Sequence, residues 1–320
     1  MNPIGGARAL LGADGNGGVD WAAARRAAHE LTDPGDLALS DSVRGAYAED
    51  LQAAHREIQA TAGIEFDLPR TIQVQNRHHW IEATLETLET AFEPLADRPG
   101  ALPGITGPLN TASIAGSVAY LSRRVLGQYD PLLFAESEPH RLYVVHPNLV
   151  STAAELDVPV ERFRRWIAFH EVAHAAEFGV APWLRPYLAE RVTGIVAELA
   201  TGSLPKDQYG ELNRAMTVVE GYAELLMDEA FDEPSAELRR KLDTRRQSGG
   251  PLSTVVSRLL GLDRKREQYE RGRAFFDAIV AERGLEAAGA VWDEPGNLPR
   301  ESELEAPGRW LDRVRPTAPN

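Results

Sequence analysis

The sequence predicts a mainly α protein with a small β-sheet, an α+β fold, and three observations carry that expectation. Apolar residues recur at three- and four-residue spacing through most of the 320 positions, the period of helices that bury one face. Only two segments, Leu68-Pro-Arg-Thr-Ile-Gln-Val-Gln75 and Arg141-Leu-Tyr-Val-Val-His146, are strand-like in pattern and rich in β-branched residues, so any sheet is small. The run His170-Glu171-Val172-Ala173-His174 lies inside one of the helical stretches.

Taken in order, residues 1–18 hold Gly5, Gly6, Gly12, Gly15, Gly17 and Gly18 and read as a flexible tail. Residues 19–320 read as a single domain. Trp21 to about Leu31 is a first helix, and Asp41 to about Thr61 a second with Ser40 or Asp41 as N-cap. After the first strand candidate, His78 and His79 open a helix to about Leu95; adjacent histidines cannot face one metal from a helix, so they take a surface or capping role. Thr111 to Gln128 is helical. The second strand, stopped at His146 by Pro147, is a candidate edge for an extended substrate or a core strand. Asp157 caps and Pro159 begins the helix that carries the histidine motif, ending near Gly179. Helices follow at about 187–201, 208–230, 235–246, 252–261, 263–284 and 285–292, with a turn at Ser248–Pro251, a loop at Pro295–Pro299 and a last short helix from Trp310 to Val314.

Composition narrows the function classes. A net charge of −14 disfavours a nucleic-acid-binding surface. The stretch from Pro99 to Ser122 carries no charge, but its prolines, glycines and hydroxyls make it a loop leading into a buried helix, and no membrane span is expected. The N-terminus lacks a charged-then-apolar leader pattern, so the expected location is cytoplasmic. With no cysteine, any zinc must be held by His and carboxylate, which suits a catalytic site better than a structural one.

His-Glu-x-x-His places two imidazoles one turn apart on one helix face, where they can share a tetrahedral metal. Glu171, directly after the first ligand, is then placed to take a proton from metal-activated water. Phe163, Ile167, His170 and His174 fall at i, i+4, i+7 and i+11, so both imidazoles lie on the stripe the helix buries. A catalytic zinc needs one more protein ligand. Val180 occupies the position where a third histidine would extend the motif, which excludes the three-histidine version. Glu177, three residues past His174, is a weak candidate because it would crowd the pair. Glu220 is the better one: it stands on the apolar stripe of Met216, Val219, Ala223 and Met227, where a carboxylate needs a strong partner. That partner is a zinc ion or an arginine. Glu224, one turn on, can accept the free N–H of a ligand imidazole. Gly221 would let another backbone approach closely. His146 is the other possible ligand, or a donor to a developing oxyanion.

The chain resembles the zincin-like metallopeptidase family found in deazaflavin-coenzyme-producing actinobacteria and archaea, on Asp20-Trp21, Leu121-Ser-Arg-Arg-Val-Leu-Gly-Gln-Tyr-Asp-Pro131, His170-Glu-Val-Ala-His174 with Glu177-Phe178, Pro182-Trp-Leu-Arg-Pro186, Val219-Glu-Gly-Tyr-Ala-Glu224, Arg258-Leu-Leu-Gly-Leu262 and Glu294-Pro-Gly-Asn-Leu-Pro299. The resemblance implies a largely helical zincin with two His and one Glu on Zn²⁺. The third-ligand segment departs from the family's frequent Glu-Gly-His-Ala/Gly-Asp: Tyr222 keeps a hydrogen-bonding side chain without a base, leaving it, with His146, as an oxyanion or substrate contact.

The expected function is that of a zinc-dependent hydrolase, foremost a metallopeptidase acting on peptides, with Glu171 as general base. Hydrolysis of a small amide or ester in cofactor metabolism uses the same chemistry, and a binding protein retaining an inactive zincin site is a third possibility that an intact Glu171 argues against.

Overall fold

A computed structural model describes residues 19–96, 107–134, 140–200, 206–232, 236–247 and 263–316. The expected tail at 1–18, the turn at 248–251, the helix at 252–261 and the start of the uncharged stretch lie outside those residues. The elements are α1 (Trp21–Glu30), α2 (Asp41–Ala62), β1 (Thr71–Gln75), α3 (Arg77–Ala96), α4 (Gly107–Leu121), β2 (Gly127–Asp130), β3 (Arg141–Val145), α5 (His146–Glu155), α6 (Val160–Val180), α7 (Leu184–Ala200), α8 (Lys206–Ala230), α9 (Ala236–Gln247), α10 (Asp263–Arg283), α11 (Leu285–Gly289), α12 (Glu301–Leu304) and α13 (Pro307–Val314), with 3₁₀ turns at Ala290–Trp292 and Pro295–Asn297. The protein is therefore mostly helical with one small sheet. Among the described residues no helix is long and apolar enough to cross a membrane. The described chain falls into two compact units, each built from separate stretches of chain.

The first unit draws on the described residues of Met1–Leu39, Thr71–Thr152 and Ala189–Gly210. The helix α1 begins at Asp20, whose carboxylate accepts from the Ala23 amide. Ala23, Ala24, Ala27 and Ala28 are fully buried and form a smooth face against α4. Ala115, Val118 and Ala119 of α4 and Trp80, Ile81 and Leu85 of α3 complete that core with Val145 from the sheet. His78 stacks on His29 at 4.2 Å, and its Nε2 lies 2.8 Å from the Thr32 carbonyl oxygen.

The sheet has the order β1-β3-β2, with β1 parallel and β2 antiparallel to β3. Its centre is the segment offered above as a substrate-binding edge. Because β3 is hydrogen-bonded on both sides, and Leu142 to Val145 are all buried, no peptide can add to it; the core-strand alternative holds. Pro147 does not simply stop this strand. The helix α5 starts at His146 directly after β3, and Pro147 falls in its first turn, where a missing N–H costs nothing. The helix expected to reach Gln128 ends at Leu121, since Gly127–Asp130 pairs with β3 instead.

The second unit comprises Ser40–Arg70, Ala153–Leu188 and the described residues of Glu211–Asn320. Ser40 caps α2 and Gly63 ends it with a left-handed φ of 63°. Tyr47, Leu51, Ala54 and Ile58 form its buried stripe, packed on α6 and reinforced by an Arg164 to Asp50 hydrogen bond of 2.6 Å. A second centre of packing is aromatic: Phe275 and Phe276 of α10, Trp310 of α13 and Trp292 are all buried. Trp310 donates to the Asn297 carbonyl at 2.7 Å, which satisfies its indole nitrogen inside this cluster.

Candidate metal centre

The helix α6 supplies most of the site. Its N-cap is Pro159, with no side-chain cap, and Asp157 does not cap it as expected; Asp157 adopts a left-handed φ of 51° in the turn that closes α5. Aspartate tolerates that conformation because its short side chain bonds locally. Glu161 puts a negative charge in the first turn, where the helix dipole favours one. The expected register holds: Phe163 and Ile167 are buried, and His170 and His174 follow on the same stripe, half-buried, with ring centroids 4.7 Å apart. Glu171 is 5% exposed.

On α8, Val219, Ala223 and Met227 are buried as the apolar stripe requires, and Glu220 stands among them. Its carboxylate meets the histidines: His170, His174 and Glu220 each offer a ligand atom, all within 4.8 Å of one another. Nε2 of His174 lies 3.8 Å from Oε2 of Glu220, too far for a hydrogen bond. It is close to the edge of a tetrahedron with zinc–ligand bonds of about 2.0–2.1 Å, roughly 3.4 Å. Nδ1 of the same ring is 2.9 Å from Oε2 of Glu177, a side chain with no exposure at all. Two imidazole nitrogens and a carboxylate oxygen are a donor set zinc accepts, so the residues present fit the ion.

Electrostatics agree with that fit. Burial opposes a charged His174, yet the hydrogen bond and charge of Glu177, together with Glu220 and Glu171, hold the ring above the ordinary imidazole range. Burial pushes Glu177 upward, against the pull of His174. Three carboxylates around two imidazoles thus form a negative pocket that attracts a cation.

The other candidates sort as follows. Glu177, rather than Glu224, is the carboxylate on the His174 ring; the sequence weighed it only as a third ligand and missed this contact, although its i+3 spacing signals it. Glu224 is pushed to about 7, chiefly by burial, against Arg239 and Arg273. Tyr222 is 2% exposed and packs edge-on against Phe276 at 5.2 Å and Trp292 at 5.5 Å. Two residues from Glu220 is about 200° around a helix, which turns the Tyr222 ring toward this aromatic cluster, while the nearby Glu177 charge adds to the burial that raises its hydroxyl pKa. His146 belongs to the first unit, as the opening residue of α5. The close backbone approach expected at Gly221 is present: a Cβ there would lie 2.4 Å from the carbonyl carbon of Gly272.

Two histidines one turn apart and a glutamate from a second helix form a group that could hold a metal ion, with a buried glutamate beside the first histidine. The chain belongs to the zincin-like metallopeptidase family, whose model matches residues 19–206 and 196–311. It is also similar to a solved structure from Chloroflexus aurantiacus, described as a candidate hydrolase with a novel fold, at 31% identity and a TM-score of 0.77, over 94% of this chain and 100% of that one. Among curated proteins, none matches the chain.

Proposed function

We propose that the protein is a zinc-dependent metallopeptidase in which His170, His174 and Glu220 hold Zn²⁺ and Glu171 is the general base. The observation that carries this reading is the convergence of the three ligand atoms within 4.8 Å, with the buried Glu171 adjoining His170 on α6. Zn²⁺ bound there supplies Lewis acidity, polarising the scissile carbonyl and easing deprotonation of water. The Glu171 carboxylate takes one proton from the attacking water as the new C–O bond forms, then delivers it to the leaving nitrogen as the C–N bond breaks. The water's second proton also passes to the nitrogen, so the products are a carboxylate and an ammonium group. Burial of Glu171 keeps bulk water from competing for that proton, and its place on a helix fixed by Phe163 and Ile167 holds the carboxylate in position.

The test is Glu171→Gln. Zinc content equal to wild type, with turnover of a quenched-fluorescent peptide library reduced by roughly 10²–10⁴-fold, is the expected result. Undiminished turnover in the zinc-loaded variant removes Glu171 from the mechanism.

A further inference from the structure

We propose that Glu177 is a positioning residue, whose carboxylate holds the His174 ring in the one tautomer and orientation that turns Nε2 toward Glu220. This rests on reading His170, His174 and Glu220 as the zinc ligands. The two nitrogens of the ring are served from different sides: Nδ1 is 2.9 Å from Glu177 Oε2, while Nε2 is 3.8 Å from Glu220 Oε2. When Nδ1–H donates to a carboxylate, the lone pair is left on Nε2, the nitrogen that must ligate. An unanchored imidazole divides its population between two tautomers and two ring orientations, and only one combination binds. A carboxylate partner also makes the ligating nitrogen more basic.

Glu177 is well placed for this. It has no exposed surface, and a buried carboxylate is costly without a committed partner. It is not among the converging ligand atoms; besides the His174 ring it accepts a backbone hydrogen bond from Ala223 of α8. Its neighbours Ala173, Ala175 and Ala176 are buried. The spacing makes the arrangement local, because residues three apart share a helix face. The motif thereby extends to His170-Glu171-x-x-His174-x-x-Glu177, with a ligand, a base, a ligand and its anchor on one helix.

The test measures Zn²⁺ affinity of the full chain, stripped of metal, by competition with a chromophoric chelator, alongside thermal melts of the metal-free forms. Wild type, Glu177→Gln, Glu177→Ala and His174→Ala are compared. Expected are a loss of about 10-fold in zinc affinity for the glutamine variant, whose amide oxygen still accepts from Nδ1, and approaching 100-fold for the alanine variant. Metal-free melting temperatures should stay near wild type. Should the alanine variant not fold, the glutamine variant, of nearly the same volume, carries the measurement. Zinc affinity unchanged in both Glu177 variants, with His174→Ala losing the metal, overturns the positioning role and spares the ligand assignment. A joint fall in melting temperature and affinity reveals a packing role and also overturns it. Wild type without zinc affinity, or His174→Ala binding as tightly as wild type, overturns the ligand assignment and this role with it.

Discussion

A close crossing of two helices in the second unit lies one residue from a proposed ligand, and replacing its glycines tests how the site is held. A Cβ at Gly272 of α10 would lie 2.1 Å from the Thr217 carbonyl oxygen and 3.1 Å from Cα of Gly221; one at Gly221 would lie 2.4 Å from the Gly272 carbonyl carbon. Ordinary carbon contacts sit at about 3.5–4.0 Å, so α8 and α10 must separate by roughly 1 Å to admit a methyl group. The obstacle is backbone, which no rotamer change relieves, so the penalty belongs near the top of the overpacking range, about 3 kcal/mol. Alanine recovers about 1 kcal/mol of helix propensity over glycine. The net loss for Gly272→Ala or Gly221→Ala is therefore about 2 kcal/mol, a fall in Tm of roughly 4–8 °C in a domain of 150–250 residues. Gly210→Ala, also in α8 but with nothing within 4 Å of its added Cβ, is the control and should gain up to about 1 kcal/mol from propensity alone. Calorimetric melts decide the matter: Gly272→Ala melting at or above wild type would refute the close-crossing argument. A second readout links packing to the site, since Gly221 adjoins Glu220. A displacement of about 1 Å in a positioned group can cost on the order of 10²-fold in activity, so Gly221→Ala should lose turnover while Gly210→Ala does not.

The remaining predictions are briefer. Tyr222→Phe should keep turnover within about twofold, because this hydroxyl is not needed in the transition state if the ring serves only to pack on Phe276 and Trp292; a loss near that of an oxyanion donor, ~10²-fold, would restore the role expected from sequence. Glu303 is 4% exposed and accepts two hydrogen bonds from Arg313, at 2.7 and 2.8 Å, and one from the Arg300 amide. Burial alone would raise its pKa, yet those partners lower it. A carboxyl depressed in the folded state stabilises fully above its unfolded pKa, about 4.3, and loses that contribution as pH falls through the folded value. Denaturation measured from pH 7 downward should show wild type losing part of its advantage over Glu303→Gln below about pH 5; a constant difference would mean the pair does not shift the carboxyl. Arg313→Ala should cost about 1–3 kcal/mol by urea denaturation, less than a fully buried pair because the guanidinium is partly in water.

How much of this was legible in the sequence depends on where the information resides. Helices announce themselves through period, and α1, α2, α3 and α8 begin and end within a few residues of expectation because Asp20, Ser40 and Gly63 are local cap signals. Strand partners are not local. Gly127–Asp130 has no alternating pattern and becomes a strand only by pairing with β3, and nothing in Leu142–Val145 says whether one or both edges are filled. His146 was misplaced because a proline after a strand reads as a stop, although the same residue opens helices. At the site, the convergence of His170, His174 and Glu220 followed from spacing plus the cost of a carboxylate on an apolar stripe. The packing of Tyr222 on Phe276 and Trp292 depends on residues distant in sequence, which no local pattern announces.

The division of labour within α6 explains why a short motif carries so much of the site. About two turns supply His170, Glu171, His174 and Glu177, and a helix repeats these positions with little freedom. Only Glu220 must be brought from elsewhere, and its placement depends on α8, whose crossing with α10 is fixed by glycine. The costs are unequal. Within α6, an error in one side chain is confined by buried neighbours such as Phe163, Ile167 and Val172. On α8, any repacking of the crossing moves the whole backbone carrying Glu220. The negative pocket formed by Glu171, Glu177 and Glu220 adds a further constraint, because like charges at close range repel unless a cation or a proton lies between them. Packing on α8 therefore sets where the third ligand stands, while charge on α6 sets what can stand between it and the histidines.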